Sequence, residues 1–200
     1  MNLLMDRMES PIGELLIVSD GANLCVVEFE NGEDRLETYL HKRYGDFTLK
    51  QADDPQGFSN RIRAYFAGNI HTLDNIPVAT SGTEFQRRVW MALRDIPGGS
   101  TTSYGDLAKK IGKPGASRAV GLANGMNPIP IVLPCHRVIG ADASLTGYGG
   151  GLDRKRWLLE HEGVQLNFHK RLDAASPPNA GRARSIKGRN PARSEACDAG

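Results

Sequence analysis

Residues 101–140 read TTSYGDLAKKIGKPGASRAVGLANGMNPIPIVLPCHRVIG, and the fold of the second half of the chain turns on them. Ser103 to Ile111 suits a short helix, Gly112-Lys113-Pro114-Gly115 supplies a turn, and a second helix follows to about Gly125. Two short helices across a glycine-bearing turn have the form of a helix-turn-helix. Beyond them Pro128, Pro130 and Pro134 hold a loop that ends on Cys135-His136. Pro134 restricts its predecessor to extended geometry, and the surrounding residues are too apolar for an ordinary surface loop. A cysteine reacts as its thiolate, and an imidazole that takes the proton, directly or through water, lowers the cost of forming it. His136 is the candidate base, and Glu162, near the end of the final helix, is placed to fold back and hold its tautomer and charge. The same residues also fit a core role, with Cys135 a small buried hydrophobe and His136 bonded to a backbone carbonyl. Spacing alone leaves both open.

Upstream, TEFQRRVWMALRDIPGG puts Phe85, Val89, Trp90 and Leu93 at helical intervals. Downstream, LDRKRWLLEHEG reads as a helix with Asp153 in its first turn and Gly163 as its stop. The first thirty residues alternate as strands, LLMDRME, IGELLIVSD and NLCVVEFE, separated by Ser10-Pro11 and Asp20-Gly21, which predicts an antiparallel meander. EDRLETYLHKRYG, with Leu36, Leu40 and Tyr44 at four-residue spacing, and PQGFSNRIRAYFAGN, with Phe58, Ile62, Tyr65 and Phe66 on one face, predict helices that cover this sheet. Residues 70–80 are the candidate linker. The class is α+β: an α/β domain over 1–78, a mainly helical domain over 79–168, and a basic tail over 169–200, expected to be disordered because it lacks any apolar period.

Composition narrows the partners. Residues 1–80 carry 7 basic and 13 acidic side chains, residues 81–169 carry 11 and 7, and the tail from Lys170 carries 7 and 3, so a polyanion favours the second half. Chance partition over a folded surface gives the same numbers. Nothing resembles a signal peptide or a membrane span, and three cysteines at 25, 135 and 197 lack a short-range pairing pattern, so the expectation is a cytoplasmic protein without disulfides. Cys25, in a strand-like run, reads as core. No close-spaced Cys or His pairs offer a zinc site, and no cofactor is expected.

TEFQRRVW, the quoted segment and LTGYGGGLDRKRWLLEHEG, in that order across residues 83–163, resemble the O6-alkylguanine-DNA alkyltransferase family, with PCHRV and its upstream Asn-Pro at the centre of the likeness. The chain is most similar to the bacterial single-unit form; before residue 80 the likeness is confined to the short strands and AYFAGN. The resemblance implies direct repair of alkylated double-stranded DNA, with a three-stranded antiparallel, RNase H-like sheet in the first domain. It implies that Cys135 accepts the alkyl group irreversibly from guanine or thymine, while His136 and Glu162 act as a relay. Asn127 becomes the hinge between recognition helix and cysteine turn, and Tyr104 bonds the extruded base and helps protonate the departing guanine. Arg118 becomes the finger that replaces the flipped nucleotide, and Tyr148 walls the pocket. The backbone near Cys135, Val138 and Gly149 reads the guanine edges; some relatives carry serine at the Gly149 position. Ser117 and Ala119, among the small residues of the second helix, permit close approach in the minor groove. A monomer is expected, able to assemble cooperatively on DNA. Two other readings share parts of the pattern: a DNA binder that performs no repair, and a cysteine hydrolase that turns over.

Overall fold

A computed structural model describes residues 1–165, all within one structural unit, so the tail expected to be disordered, with Cys197, lies outside the described residues. The meander forms as its alternation predicts: β1 (Asn2–Met8) pairs antiparallel with β2 (Leu15–Ser19), and β2 with β3 (Leu24–Phe29). All five residues of β2 are buried, because both faces of the sheet are covered. Leu16 and Val18 pack with Leu36 and Leu40 of α1 (Glu33–Tyr44), while Leu15 and Ile17 face Phe58, Ile62 and Tyr65 of α2 (Phe58–Phe66). Even and odd positions of one strand thus serve two cores.

The sheet has four strands and not three. β4 (Thr48–Gln51) pairs parallel with β1, from Asn2 opposite Thr48 to Met5 opposite Gln51, giving the order β3-β2-β1-β4. The strand was illegible because its residues are largely exposed and carry no apolar alternation, as suits a short edge strand. The stretch read as a linker is packed: Ile76 is fully buried, the Leu24 N–H donates to the Pro77 carbonyl at 2.8 Å and the Ala79 N–H to the Leu24 carbonyl at 2.9 Å.

The second half is mainly helical. Thr83 and Gln86 form a reciprocal cap on α3 (Glu84–Leu93), each side chain accepting from the other's backbone N–H. Ser103 caps α4 (Tyr104–Lys110), which follows the two-residue β5 (Thr102–Ser103), and α5 (Ser117–Gly125) completes the helix-turn-helix. The Trp90 indole N–H donates to the Ala123 carbonyl at 2.7 Å and ties α3 to α5. β6 (Val138–Ile139) pairs parallel with β5, and α6 (Leu152–His161) closes the described chain. Val89, Trp90, Val120 and Leu158 belong to the same buried cluster as Ile17 and Val27, so one core runs from the sheet into the helical half.

Candidate active site

Between α5 and β6 the chain makes a turn held by side-chain amides. Asn127 accepts from the Ile129 N–H at 3.0 Å and donates to the Leu133 carbonyl at 2.7 Å, clamping the proline-rich loop. Within the clamp Ile131 sits at φ 74°, a region a β-branched residue avoids, and it stays there because it is buried and bonded around on both sides. The Cys135 N–H donates to the Leu133 carbonyl at 2.7 Å, and Asn124 donates to the Cys135 carbonyl at 3.1 Å. Two asparagines therefore fix the position of one thiol.

Cys135 is 4% exposed and forms no disulfide among the described residues. Burial pushes its thiol up to about 11, against the opposing pull of the Asn127 amide, the Lys155 cation and the backbone N–H groups of Cys135 and His136. It faces a cleft of about 470 Å³ bounded by the exposed side of α1, the end of β3, Asn124, Asn127, Tyr148 and Gly149. Gly150 lets this wall close tightly, since a Cβ there would lie 2.5 Å from the Phe29 ring. At Gly149 the nearest atoms to an added Cβ are 3.6 Å away, so a serine side chain fits where this chain has none.

Next to Cys135 in the chain, His136 is buried and bonded to buried Glu162, Nε2 to Oε1 at 2.9 Å. This commits Nε2 to the carboxylate and leaves Nδ1, buried and without a protein partner among the described residues, as the nitrogen able to take a proton. Burial lowers the histidine's affinity for protons, Glu162 opposes that, and Arg137 and Lys155 reinforce it. Glu162 itself is held well below the usual carboxylate range: the His136 and Arg137 bonds outweigh its burial.

The sequence reading passed over four members of this site. Arg137 grips both Glu162 oxygens, Nε and Nη2 at 2.8 Å each, and its Nη1 donates to the Ile96 carbonyl at 2.6 Å. Tyr65 donates its phenol proton to Glu162 Oε1 at 2.8 Å. Asn124 holds the Cys135 turn. Lys155 is fully buried, donates to the Val138 and Thr146 carbonyls at 2.6 and 2.7 Å, and is pushed down to about 8 by burial. Its position in DRKR reads as a solvated basic face, and only the low polarity of the stretches at 131–139 and 157–159 hinted otherwise.

The remaining expected residues fall in two places. Tyr148 and Gly149 line the cleft, and the Tyr148 hydroxyl is buried without a partner among the described residues. Tyr104, at the start of α4, donates to the Thr146 carbonyl at 3.0 Å. Of the backbone groups expected to read a base, the Val138 carbonyl is engaged by Lys155, the Cys135 carbonyl by Asn124, and the Gly149 carbonyl lies 3.5 Å from Arg35. Ser117, Arg118 and Ala119 do not join the cleft but begin α5, where Arg118 and Ala119 are exposed together with Leu122 at 72% and Met126 at 60%.

A buried cysteine in a clamped turn, the imidazole–carboxylate pair that follows it and a helix-turn-helix in the same half suit a DNA-binding protein with a reactive thiol. Residues 3–80 match the 6-O-methylguanine DNA methyltransferase, ribonuclease-like domain, and residues 84–164 match the 6-O-methylguanine DNA methyltransferase, DNA binding domain. The chain belongs to the 6-O-methylguanine DNA methyltransferase family. It is 49% identical over 169 residues to the methylated-DNA–protein-cysteine methyltransferase of Salmonella typhimurium, covering 83% of this chain and 99% of that one. The Methanosarcina acetivorans protein of the same name is 48% identical over 155 residues, covering 78% and 95%. The crystal structure of Mycobacterium tuberculosis O6-methylguanine methyltransferase superposes with a TM-score of 0.67 at 44% identity, covering 80% of this chain and 92% of that one, and its complex with DNA gives the same values.

Proposed function

We infer that this protein repairs DNA by direct reversal, moving an alkyl group from O6 of guanine, or O4 of thymine, onto Cys135 in one irreversible step. The observation that carries this is Cys135 at the cleft, its turn clamped by Asn127 and Asn124 and followed directly in the chain by the buried His136–Glu162 pair.

In the transfer, the Cys135 proton passes through a water to His136 Nδ1 while Glu162 stabilises the imidazolium formed. The sulfur then displaces the alkyl carbon in line: the S–C bond forms, the C–O bond breaks, and the departing base takes up a proton. Tyr104, released from Thr146, directs its hydroxyl at the base and assists that protonation. A duplex base has to leave the stack to reach buried Cys135, at a cost of a few kcal/mol that Arg118, inserted from α5, partly offsets. Exposed Leu122 and the small residues Ser117 and Ala119 suit the minor groove, where binding depends little on sequence. Residues 1–78 and 79–168 act as two domains, the second carrying both the DNA-binding face and the acceptor. The protein acts as a monomer that assembles cooperatively on DNA.

Intact mass after incubation with excess duplex carrying O6-methylguanine, followed by peptide mapping, tests this. One methyl group on Cys135 and at most one product per protein is the expected result. An unchanged mass breaks the transfer assignment and leaves a DNA binder, and product beyond one equivalent makes the protein a turnover catalyst.

A further inference from the structure

Glu162 Oε1 receives three donors: His136 Nε2 at 2.9 Å, Arg137 Nη2 at 2.8 Å and the Tyr65 phenol at 2.8 Å. Two of these come from the acceptor turn itself. The third comes from α2, in the sheet-bearing half, 97 residues away in sequence. Tyr65 is fully buried, and its ring packs edgewise on Phe66 and His161 at 5.3 and 5.1 Å between centroids. A phenylalanine fills that space equally well, and a buried phenol needs a partner to offset its desolvation. The partner here is the carboxylate behind the histidine, and packing alone gives no reason for that pairing.

We propose that Tyr65 is a positioning residue for alkyl transfer: its phenol shares Glu162 Oε1 with His136 and so sets how much negative charge the carboxylate presents to the imidazole. The assignment rests on reading His136 and Glu162 as the proton relay. An oxygen offers two lone pairs, so three donors on Oε1 compete, and removing one strengthens the bonds to the others. Without the phenol, Glu162 stabilises the imidazolium more, and His136 keeps its proton to higher pH. The other groups facing the pair are fixed in kind. Arg137 and Lys155 disfavour the imidazolium, Cys135 lies next in the chain, and His161 meets the Tyr65 carbonyl at 2.7 Å through Nε2.

The test is Tyr65→Phe in the full-length protein, with two readouts: the pH dependence of benzyl transfer from free O6-benzylguanine, and the NMR titration of the His136 imidazole. The acid limb of the rate profile and the imidazole midpoint are both expected to rise, by about half to one pH unit. Unmoved midpoints overturn the proposal, whether the rate is unchanged or falls equally at every pH, the latter being a packing effect. Full-length protein carrying 3-fluorotyrosine gives a check that does not depend on the variant's folding. Its phenols are stronger donors, so the His136 midpoint is expected to fall, and an unmoved midpoint again overturns the proposal. Wild-type transfer with unmoved midpoints breaks the Tyr65 assignment alone, whereas absence of wild-type transfer from both free O6-benzylguanine and duplex O6-methylguanine breaks the proposed function.

Discussion

Cys25 and Cys135 are both buried and form no disulfide among the described residues, and burial pushes both thiols up to about 11. Cys25 sits in β3 among Leu16, Val18, Leu36 and Leu40 and accepts a bond from the Tyr44 phenol at 3.1 Å. Cys135 adjoins a cleft, an asparagine clamp and a histidine whose free nitrogen has no protein partner among the described residues. Resting acidity does not distinguish them. What separates the two is their surroundings: Cys135 lines a cleft and precedes a histidine with a ring nitrogen unpartnered among the described residues, whereas Cys25 meets core side chains and the Tyr44 phenol.

The largest effect expected is from Cys135→Ala, which leaves DNA binding and folding near wild type and abolishes adduct formation by intact mass. An adduct that moves to Cys25 in this variant breaks the comparison outright. Next comes Glu162→Gln, which removes the charge behind His136 and leaves Arg137 buried without its anion. Transfer is expected to slow about 10²–10³-fold, and urea unfolding to show a loss of about 3–5 kcal/mol. The pH dependence of that gap sharpens the test. Because the carboxyl's folded pKa is depressed, its contribution is fully present above the unfolded value of about 4.3 and is lost as pH falls. Wild type and Glu162→Gln therefore converge in stability toward acid. Arg118→Ala is expected to slow repair of duplex O6-methylguanine about tenfold, while the rate with free O6-benzylguanine changes less than about twofold, since only the duplex requires a flipped base. Equal slowing on both substrates would remove Arg118 from flipping. The smallest effect is expected of Cys25→Ala, which costs about 1–3 kcal/mol of stability by urea unfolding and leaves the transfer rate within about twofold.

Much of the architecture was legible because it is local. The alternation of LLMDRME, IGELLIVSD and NLCVVEFE, the helical spacing around Trp90 and the glycine turn between α4 and α5 each depend on neighbours within a few residues. β4 escaped because an exposed edge strand has no buried face to impose a period. At the site, the motif brought together Cys135, His136, Glu162 and Asn127, and the structure adds the groups that hold them. Arg137 and Lys155 look like solvated charges in sequence, and their buried partners are carbonyls or a carboxylate that only the tertiary fold supplies. Tyr65 reads as one aromatic on an apolar helix face, which is true of its ring and silent about its hydroxyl.

The span between Tyr65 and Glu162 also bears on the order in which the molecule comes together. A bond across 97 residues forms only once that loop has closed, and closing it costs more chain entropy than forming a helix or hairpin. The helices around the Cys135 turn share one buried core with the sheet, so their packing is complete only with the sheet-bearing half in place. Until it docks, the carboxylate lacks one of its donors and α6 lacks the aromatic neighbours at Tyr65 and Phe66 that pack against His161. The full donor set at Glu162 is thus complete only when both halves of the chain are in place.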